Sequence, residues 1–108
     1  MEVNKTTTQR GFDLNEFIDR SGCACSVQKS SLATEDAIWF GVNDSDPKIM
    51  ATDAMKQGLP TGGKTCGWVP YEVPKEVLMN THMQLTQDQV KDLLPILQHF
   101  AETGELPE

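Results

Sequence analysis

A glycine-rich octapeptide, Gly58 to Thr65 (GLPTGGKT), is the first feature of the chain that could do chemistry. It matches G-x-x-x-x-G-K-[ST], the pattern of loops that bind nucleotide phosphates. Such loops work when a buried strand enters and a helix leaves, because backbone amides and the helix N-terminus then converge on the phosphates. Here residues 52–57 are polar, and residues 66–70 contain a glycine and a proline that do not open a helix. We therefore predict no nucleotide hydrolysis at this loop, although the backbone of residues 62–64 could bind an anion.

Thiols and imidazoles are the next candidates, and they are few. A zinc site can be written from Cys23, Cys25, Cys66 and His82, but the chain lacks the paired Cys-x2-Cys spacing of such sites. Cys66 with His82 or His99 could form a nucleophile and its base, yet no local signature surrounds them. We expect free thiols in a reducing cytosol, and no catalytic residue, no metal and no cofactor, so the chain is not predicted to be an enzyme.

Ring stacking and polar recognition remain as possible chemistry. Large aromatic residues stand in a Gly/Pro-rich loop beside a lysine and a threonine, where flat rings could stack a base and a cation could hold a phosphate. A polar set also alternates with Met83 and Leu85 along a predicted strand; a solvated outer face is the alternative interpretation. The predicted ligand-binding residues are Trp68, Tyr71, Lys64, Thr65, Asn80, His82, Gln84 and Lys29.

The elements that must position these residues can be predicted from pattern. Thr86 to Gln89 is a capping box, and apolar residues then recur every three or four positions, which predicts a helix over residues 86–103 with Gly104 as its left-handed cap. Residues 25–32 and 37–42 predict a hairpin of two strands, the second apolar on both faces with Trp39 in the core. Alternation predicts a further strand over residues 77–85. The fold class is therefore α+β: a small, mainly antiparallel sheet with a C-terminal helix packed across one face.

Length and charge limit the possible partners. The 108 residues predict one domain, 1–108, with no cleavable signal and no apolar run long enough for a membrane span. The net charge is −7, and no cluster of Lys and Arg could neutralise a phosphate backbone, so neither nucleic acid nor a membrane is an expected partner. The excess acid could occupy a basic groove of another protein, or simply keep the chain in solution.

Two stretches of the chain resemble a known family. They are Cys25 to Ala33 (CSVQKSSLA), followed by Ile38 to Gly41 (IWFG), and the tail from Leu85, which ends in LPILQHFAETGEL. They resemble small phage proteins, and among these the first described family of anti-Thoeris proteins, which sequester cyclic nucleotide immune signals. The resemblance implies a homo-oligomer in the host cell cytoplasm that binds a cyclic ADP-ribose isomer, and cyclic oligonucleotides, without cleaving them. His82 and Gln84 stand where relatives are expected to carry arginine.

Two other classes of function are compatible with the sequence. One is an acidic protein that inhibits a host defence effector, as anti-CRISPR proteins do, and it requires the acidic side chains to share one surface. The other is a phage structural or assembly protein without a pocket. The homo-oligomer is expected on physical grounds as well, because the helix stripe and the strand around Trp39 carry more apolar surface than one helix covers.

Overall fold

A computed structural model describes all residues, 1–108, and shows seven strands and two helices. In chain order they are β1 (Asn4–Thr7), β2 (Asp13–Ile18), β3 (Ala24–Lys29), β4 (Ala37–Val42), β5 (Lys48–Met50), α1 (Ala51–Lys56), β6 (Trp68–Pro70), β7 (His82–Thr86) and α2 (Gln87–Thr103). They form two compact units, one of Met1–Asn43 with Thr81–Glu108 and the other of Asp44–Asn80. The single domain expected from length stays a prediction.

The first unit is built on a five-stranded antiparallel sheet in the order β1-β2-β3-β4-β7. The predicted hairpin of β3 and β4 is confirmed. The segment from Gly11 to Asp19, whose sequence fits either a strand or a helical turn, contains β2. The α+β class is confirmed, since 21% of the residues are helical and 31% lie in strands. None of the helices has the length and apolar character needed to cross a bilayer.

Strand register sorts the side chains of this sheet onto two faces, because successive residues of a strand point in opposite directions. One face is apolar, and on it the rings of Phe17 and Phe40 meet edge to face at 6.3 Å between centroids. The other is the polar face, which we define by the residues Ser26, Gln28, Ser30, Trp39, Gly41, His82 and Gln84.

Trp39 belongs to the polar face, which corrects the prediction that it lies in the core. It is 36% exposed, whereas its neighbours Ile38 and Phe40 point to the apolar face and are half-buried. Composition could not show this, since a strand of five apolar residues carries no alternation. An indole ring is therefore available on the face that also carries amide and imidazole groups.

The helix α2 begins with the predicted capping box. The Thr86 hydroxyl accepts from the Gln89 amide at 3.2 Å, and the Gln89 side chain accepts from the Thr86 amide at 2.9 Å. The helix continues through Pro95 and ends at Gly104, whose φ is 78° and whose amide donates to the Phe100 carbonyl at 2.8 Å. Leu106, two residues beyond this glycine, is exposed.

The contacts of α2 with the sheet are principally with β7. Val90 is half-buried, but no residue of α2 is buried. The stripe side chains beyond it are exposed by a third to a half or more: Leu93, Leu94, Leu97 and Phe100. The sheet thus covers the start of the apolar stripe and leaves the rest uncovered within one chain.

The second unit contains the two-stranded sheet β5-β6 and the short helix α1. Its core is formed by Ala51, Ala54 and Val69, which are almost fully buried, with Ile49 and Leu59 packed against them. The strand predicted from Val77 is wrong over residues 77–81, which lie in no strand. The reason is that β4 offers backbone partners only to His82–Thr86, so the alternation before His82 has nothing to pair with.

Candidate functional site

The polar face holds a hydrogen-bonded chain that crosses three strands. Ser26 of β3 is in register with Gly41 of β4, and Gly41 with His82 of β7. The His82 Nε2 atom lies 3.0 Å from the Ser26 hydroxyl oxygen, and His82 Nδ1 lies 3.1 Å from the Thr81 hydroxyl oxygen. The imidazole can reach over β4 because Gly41 has no side chain.

Gly41 is required by backbone packing as well as by the position of the His82 imidazole over β4. A Cβ at this position would collide with the Thr81 carbonyl oxygen and would lie 2.9 Å from the His82 Cα. Real Cβ atoms do not approach a backbone so closely. The close approach of β4 and β7 at this point therefore depends on glycine.

The directions of these hydrogen bonds argue against a hydrolytic Ser-His pair. The Ser26 hydroxyl donates to the Asn43 Oδ1 atom at 2.7 Å. Since a hydroxyl has one proton, its oxygen accepts from His82 Nε2, and in a neutral imidazole His82 Nδ1 then accepts from the Thr81 hydroxyl. Ser26 is only 3% exposed. The imidazole is thus a donor to the serine and not its base, and the serine is out of reach of a substrate.

A second cross-strand bond lies on the other side of Trp39. The Gln84 amide nitrogen donates to the Ser30 hydroxyl at 3.1 Å, and Ser30 is buried. Trp39 is in register with Gln28 on one neighbouring strand and with Gln84 on the other. An exposed indole ring therefore lies in a row with two amide side chains, which is an arrangement that can stack a flat ring and hydrogen-bond its edge.

A cavity of about 340 Å³ opens beside Trp39 where the β1–β2 connection comes close to β3 and β4. This volume is at the lower end of the range for small-molecule pockets. The guanidinium carbon of Arg10 lies 5.6 Å from the centroid of the Phe12 ring, and both residues line the cavity. The remaining lining residues are Thr8, Gln9, Gln28, Lys29, Ser31 and Trp39.

The predicted ligand-binding residues fall in both units. Lys64, Thr65, Trp68, Tyr71 and Asn80 belong to the second unit, and none of them lines a cavity described in the first. Trp68 is 62% and Tyr71 41% exposed. Their role as ligand contacts stays a prediction.

The remaining three predicted residues belong to the sheet unit. His82 and Gln84 share the polar face, as their spacing predicts. Lys29 pairs with Asp36 at 2.7 Å, and this hydrogen bond and the lysine charge lower the pKa of the Asp36 carboxyl. Lys29 also lines the cavity beside Trp39, and its ammonium group forms the ion pair with Asp36.

The GLPTGGKT loop has the reverse architecture of a nucleotide-phosphate loop. It follows the helix α1 and precedes the strand β6, so no helix N-terminus points at it. Gly62 and Gly63 have φ values of 63° and 84°, and the Lys64 amide donates to the Thr61 carbonyl at 3.2 Å. This is a tight turn whose amide is used internally, as in type I′ turns, which leaves it unavailable to an anion.

The cysteines do not form a metal site in this structure. No three His, Cys, Asp or Glu side chains come together in a way that could hold an ion. Cys25 is buried on the apolar face, and burial, followed by the nearby Asp19 charge, raises the pKa of its thiol. Cys66 is exposed and Cys23 is half-buried, and all three are free thiols.

The sequence interpretation missed Arg10, Phe12, Gln28, Ser26 and Asn43 as parts of the site. A usable signal existed only for Arg10, because it is one of two arginines in an acidic chain and stands in a Thr-Gln-Arg-Gly turn. The others become neighbours through sheet register, which one sequence does not reveal.

Comparison of the chain with protein-family models, with curated proteins and with solved structures gives no match.

Proposed function

We propose that this protein binds a cyclic nucleotide immune signal in the host cell cytoplasm and holds it without cleaving it. The expected ligands are a cyclic ADP-ribose isomer and cyclic oligonucleotides, and the protein acts as a phage anti-defence factor. The observation that carries this proposal is the exposed Trp39 ring in a row with Gln28 and Gln84 on the polar face. The family resemblance of the strand that contains Trp39 agrees with it.

Ring and amide chemistry is what recognition of a nucleobase requires. Stacking on an aromatic side chain stabilises a bound base by about 1–3 kcal/mol, and amides can both donate to and accept from the edge of the base. Gln84 is held by Ser30, so that it loses less conformational freedom when a ligand binds. A sheet face built in this way favours nucleotides over ligands without a flat ring.

Retention of the intact ligand is supported by the state of Ser26. The serine is buried, and its proton is directed to Asn43 and not to His82. The sheet unit therefore offers a hydrogen-bonding surface where a hydrolase would need an exposed nucleophile with a base.

A homo-oligomer is part of the proposal, with a second copy of this chain covering α2. A groove of about 360 Å³ lies between the first turns of α2 and the edge of the sheet, and its apolar lining includes Ile38, Leu85, Val90 and Leu94. The exposed stripe of the same helix provides the apolar side chains that would fill such a groove in a partner. Groove and stripe on one chain are self-complementary, as a symmetric interface requires.

The acidic-inhibitor alternative is less well supported. By helical periodicity, Asp88 and Asp92 lie on the side of α2 opposite to Leu94 and Leu97, and Glu102 lies at the border of that side. This is the arrangement of an ordinary solvated face beside an apolar contact surface. This alternative also needs Glu72, Glu76 and Glu105 on the same surface. Glu72 and Glu76 belong to the second unit, and Glu105 follows the end of α2.

The test is calorimetry of the purified protein with cyclic ADP-ribose isomers and with cyclic di- and trinucleotides, followed by chromatography of the ligand released by heat. We expect tight binding of at least one of them, about −12 kcal/mol for a nanomolar dissociation constant, and recovery of the same compound. Absence of binding to all of them would refute the function. Recovery of a cleaved product would show that the protein is an enzyme that degrades the ligand and does not only sequester it.

A further inference from the structure

The charge of its lining distinguishes the cavity beside Trp39 from two further cavities of the sheet unit. The chain has sixteen Asp and Glu residues against nine Lys and Arg, yet no carboxylate lines this cavity. Those two cavities each contain acidic groups, Glu2 and Glu16 in one and Asp36 in the other. A cavity that is lined by cations and by no carboxylate, on a chain with a negative net charge, is suited to an anion.

Arg10 provides the cation of this cavity. The two ion pairs of the chain join Lys29 to Asp36 and Lys48 to Asp46, so the Arg10 guanidinium has no carboxylate partner. Its position over the Phe12 ring restrains it through a cation–π contact. An oriented, unpaired guanidinium offers two parallel donors to one phosphate or carboxylate.

The backbone holds Arg10 at the rim of the cavity. The Phe12 amide donates to the Thr8 hydroxyl at 3.0 Å. The Gly11 amide donates to the Thr8 carbonyl at 2.9 Å. Gly11 has a φ of 85°, which a tight turn between β1 and β2 requires. The turn is therefore fixed at both ends, and a phosphate can bind without first ordering a loop.

We propose that this cavity is a binding site within a single chain for one nucleotide unit, with the base on Trp39 and its 5′-phosphate on Arg10. The inference rests on the proposed function for the class of ligand and assigns that ligand a place and a charge partner. It adds that occupancy of this site requires no second subunit.

The test uses 5′-AMP, adenosine and cyclic ADP-ribose with a Trp68→Phe protein, in which Trp39 is the only tryptophan. Stacking on Trp39 is expected to quench its fluorescence with each of the three ligands. Arg10→Gln should weaken 5′-AMP about ten- to a hundredfold, because it removes hydrogen bonds to a charged group, and should leave adenosine unchanged. Arg20→Gln, which makes the same change in the β2–β3 turn, is the matched control and should leave both ligands unchanged.

The outcomes separate this inference from the proposed function. Cyclic ADP-ribose could bind by calorimetry without changing Trp39 fluorescence, and with the same affinity for the Arg10→Gln protein as for the protein with Arg10. The function would then stand and the cavity assignment would be wrong. If 5′-AMP quenches Trp39 and responds to Arg10 while no cyclic nucleotide binds, the cavity assignment stands and the function is wrong. Equal weakening of 5′-AMP and adenosine by Arg10→Gln would also overturn the assignment, because Arg10 would then not be the phosphate ligand.

Discussion

The His82 Nε2 atom lies 3.0 Å from the Ser26 hydroxyl oxygen, although β4 runs between the strands that carry them. A double-mutant cycle of Ser26→Ala and His82→Ala should therefore give a coupling free energy of about 0.5–1.5 kcal/mol in urea unfolding. The distant pair Ser26→Ala and Thr7→Ala serves as control and should be additive. Additivity of Ser26 and His82 as well would mean that this hydrogen bond contributes nothing to stability.

Gly41→Ala should lower the free energy of unfolding by about 1–3 kcal/mol, because the added methyl group collides with the backbone at Thr81 and His82. It should also abolish the coupling between Ser26 and His82, since it places a side chain under the imidazole. Thermal or urea unfolding measures both effects. Lys5→Ala, in the outer strand β1, should change stability by less than about 0.5 kcal/mol. A Gly41→Ala protein as stable as this control would contradict the close approach of β4 and β7.

Thr86→Ala should cost about 1 kcal/mol and reduce the helical signal at the start of α2, because the alanine leaves the Gln89 amide without its acceptor. Thr86→Ser keeps the oxygen and should restore most of the loss. Circular dichroism during denaturant unfolding compares the two. If serine and alanine behave alike, the effect arises from packing of the threonine methyl and not from the cap.

Leu97→Glu should convert the proposed homo-oligomer into a monomer, because it buries a charge in the stripe that a second copy covers. His99→Glu introduces the same charge on the opposite side of α2 and should leave the assembly intact. Sedimentation at micromolar concentration distinguishes the two proteins. If the unmodified protein is a monomer, the proposed homo-oligomer is wrong. If both variants dissociate equally, the apolar stripe of α2 is not the interface.

The three thiols should react with a chromogenic disulfide reagent at different rates. Cys66 is exposed and should react first, whereas Cys25 is buried and its raised pKa leaves less thiolate at pH 8, so it should react only on unfolding. Cys66→Ser should remove the fast phase, and its persistence would show that Cys25 or Cys23 is accessible.

Local signals in the sequence were sufficient where one segment carries all the information. The capping box of α2 and the hairpin of β3 and β4 depend on residues close together in the chain, and both are confirmed. β1 was missed because Asn4–Thr7 is a polar, fully exposed outer strand without apolar alternation. β6 was missed because a three-residue strand in a Gly/Pro-rich segment has no period to detect.

The candidate site depends on pairings that one sequence does not contain. Spacing placed His82 and Gln84 on a common face, but their partners Ser26 and Ser30 lie more than fifty positions away and become neighbours only through register with β4. Trp39 was misplaced for the same reason. Which face of β4 is polar is decided by β3 and β7, not by β4 itself.

The insertion of residues 44–80 between β4 and β7 bears on how the protein folds. The strands β1 to β4 pair with neighbours in the chain, so their contacts form after closing short loops. β7 must instead find β4 across the whole inserted unit, at an entropic cost that grows with the logarithm of the intervening length. Until then the backbone of β4 along Ala37–Val42 is an open edge, rich in apolar residues, that another chain could pair with. Docking of β7 is thus expected to be the late step of folding, and the interval before it is when the chain is most prone to aggregate.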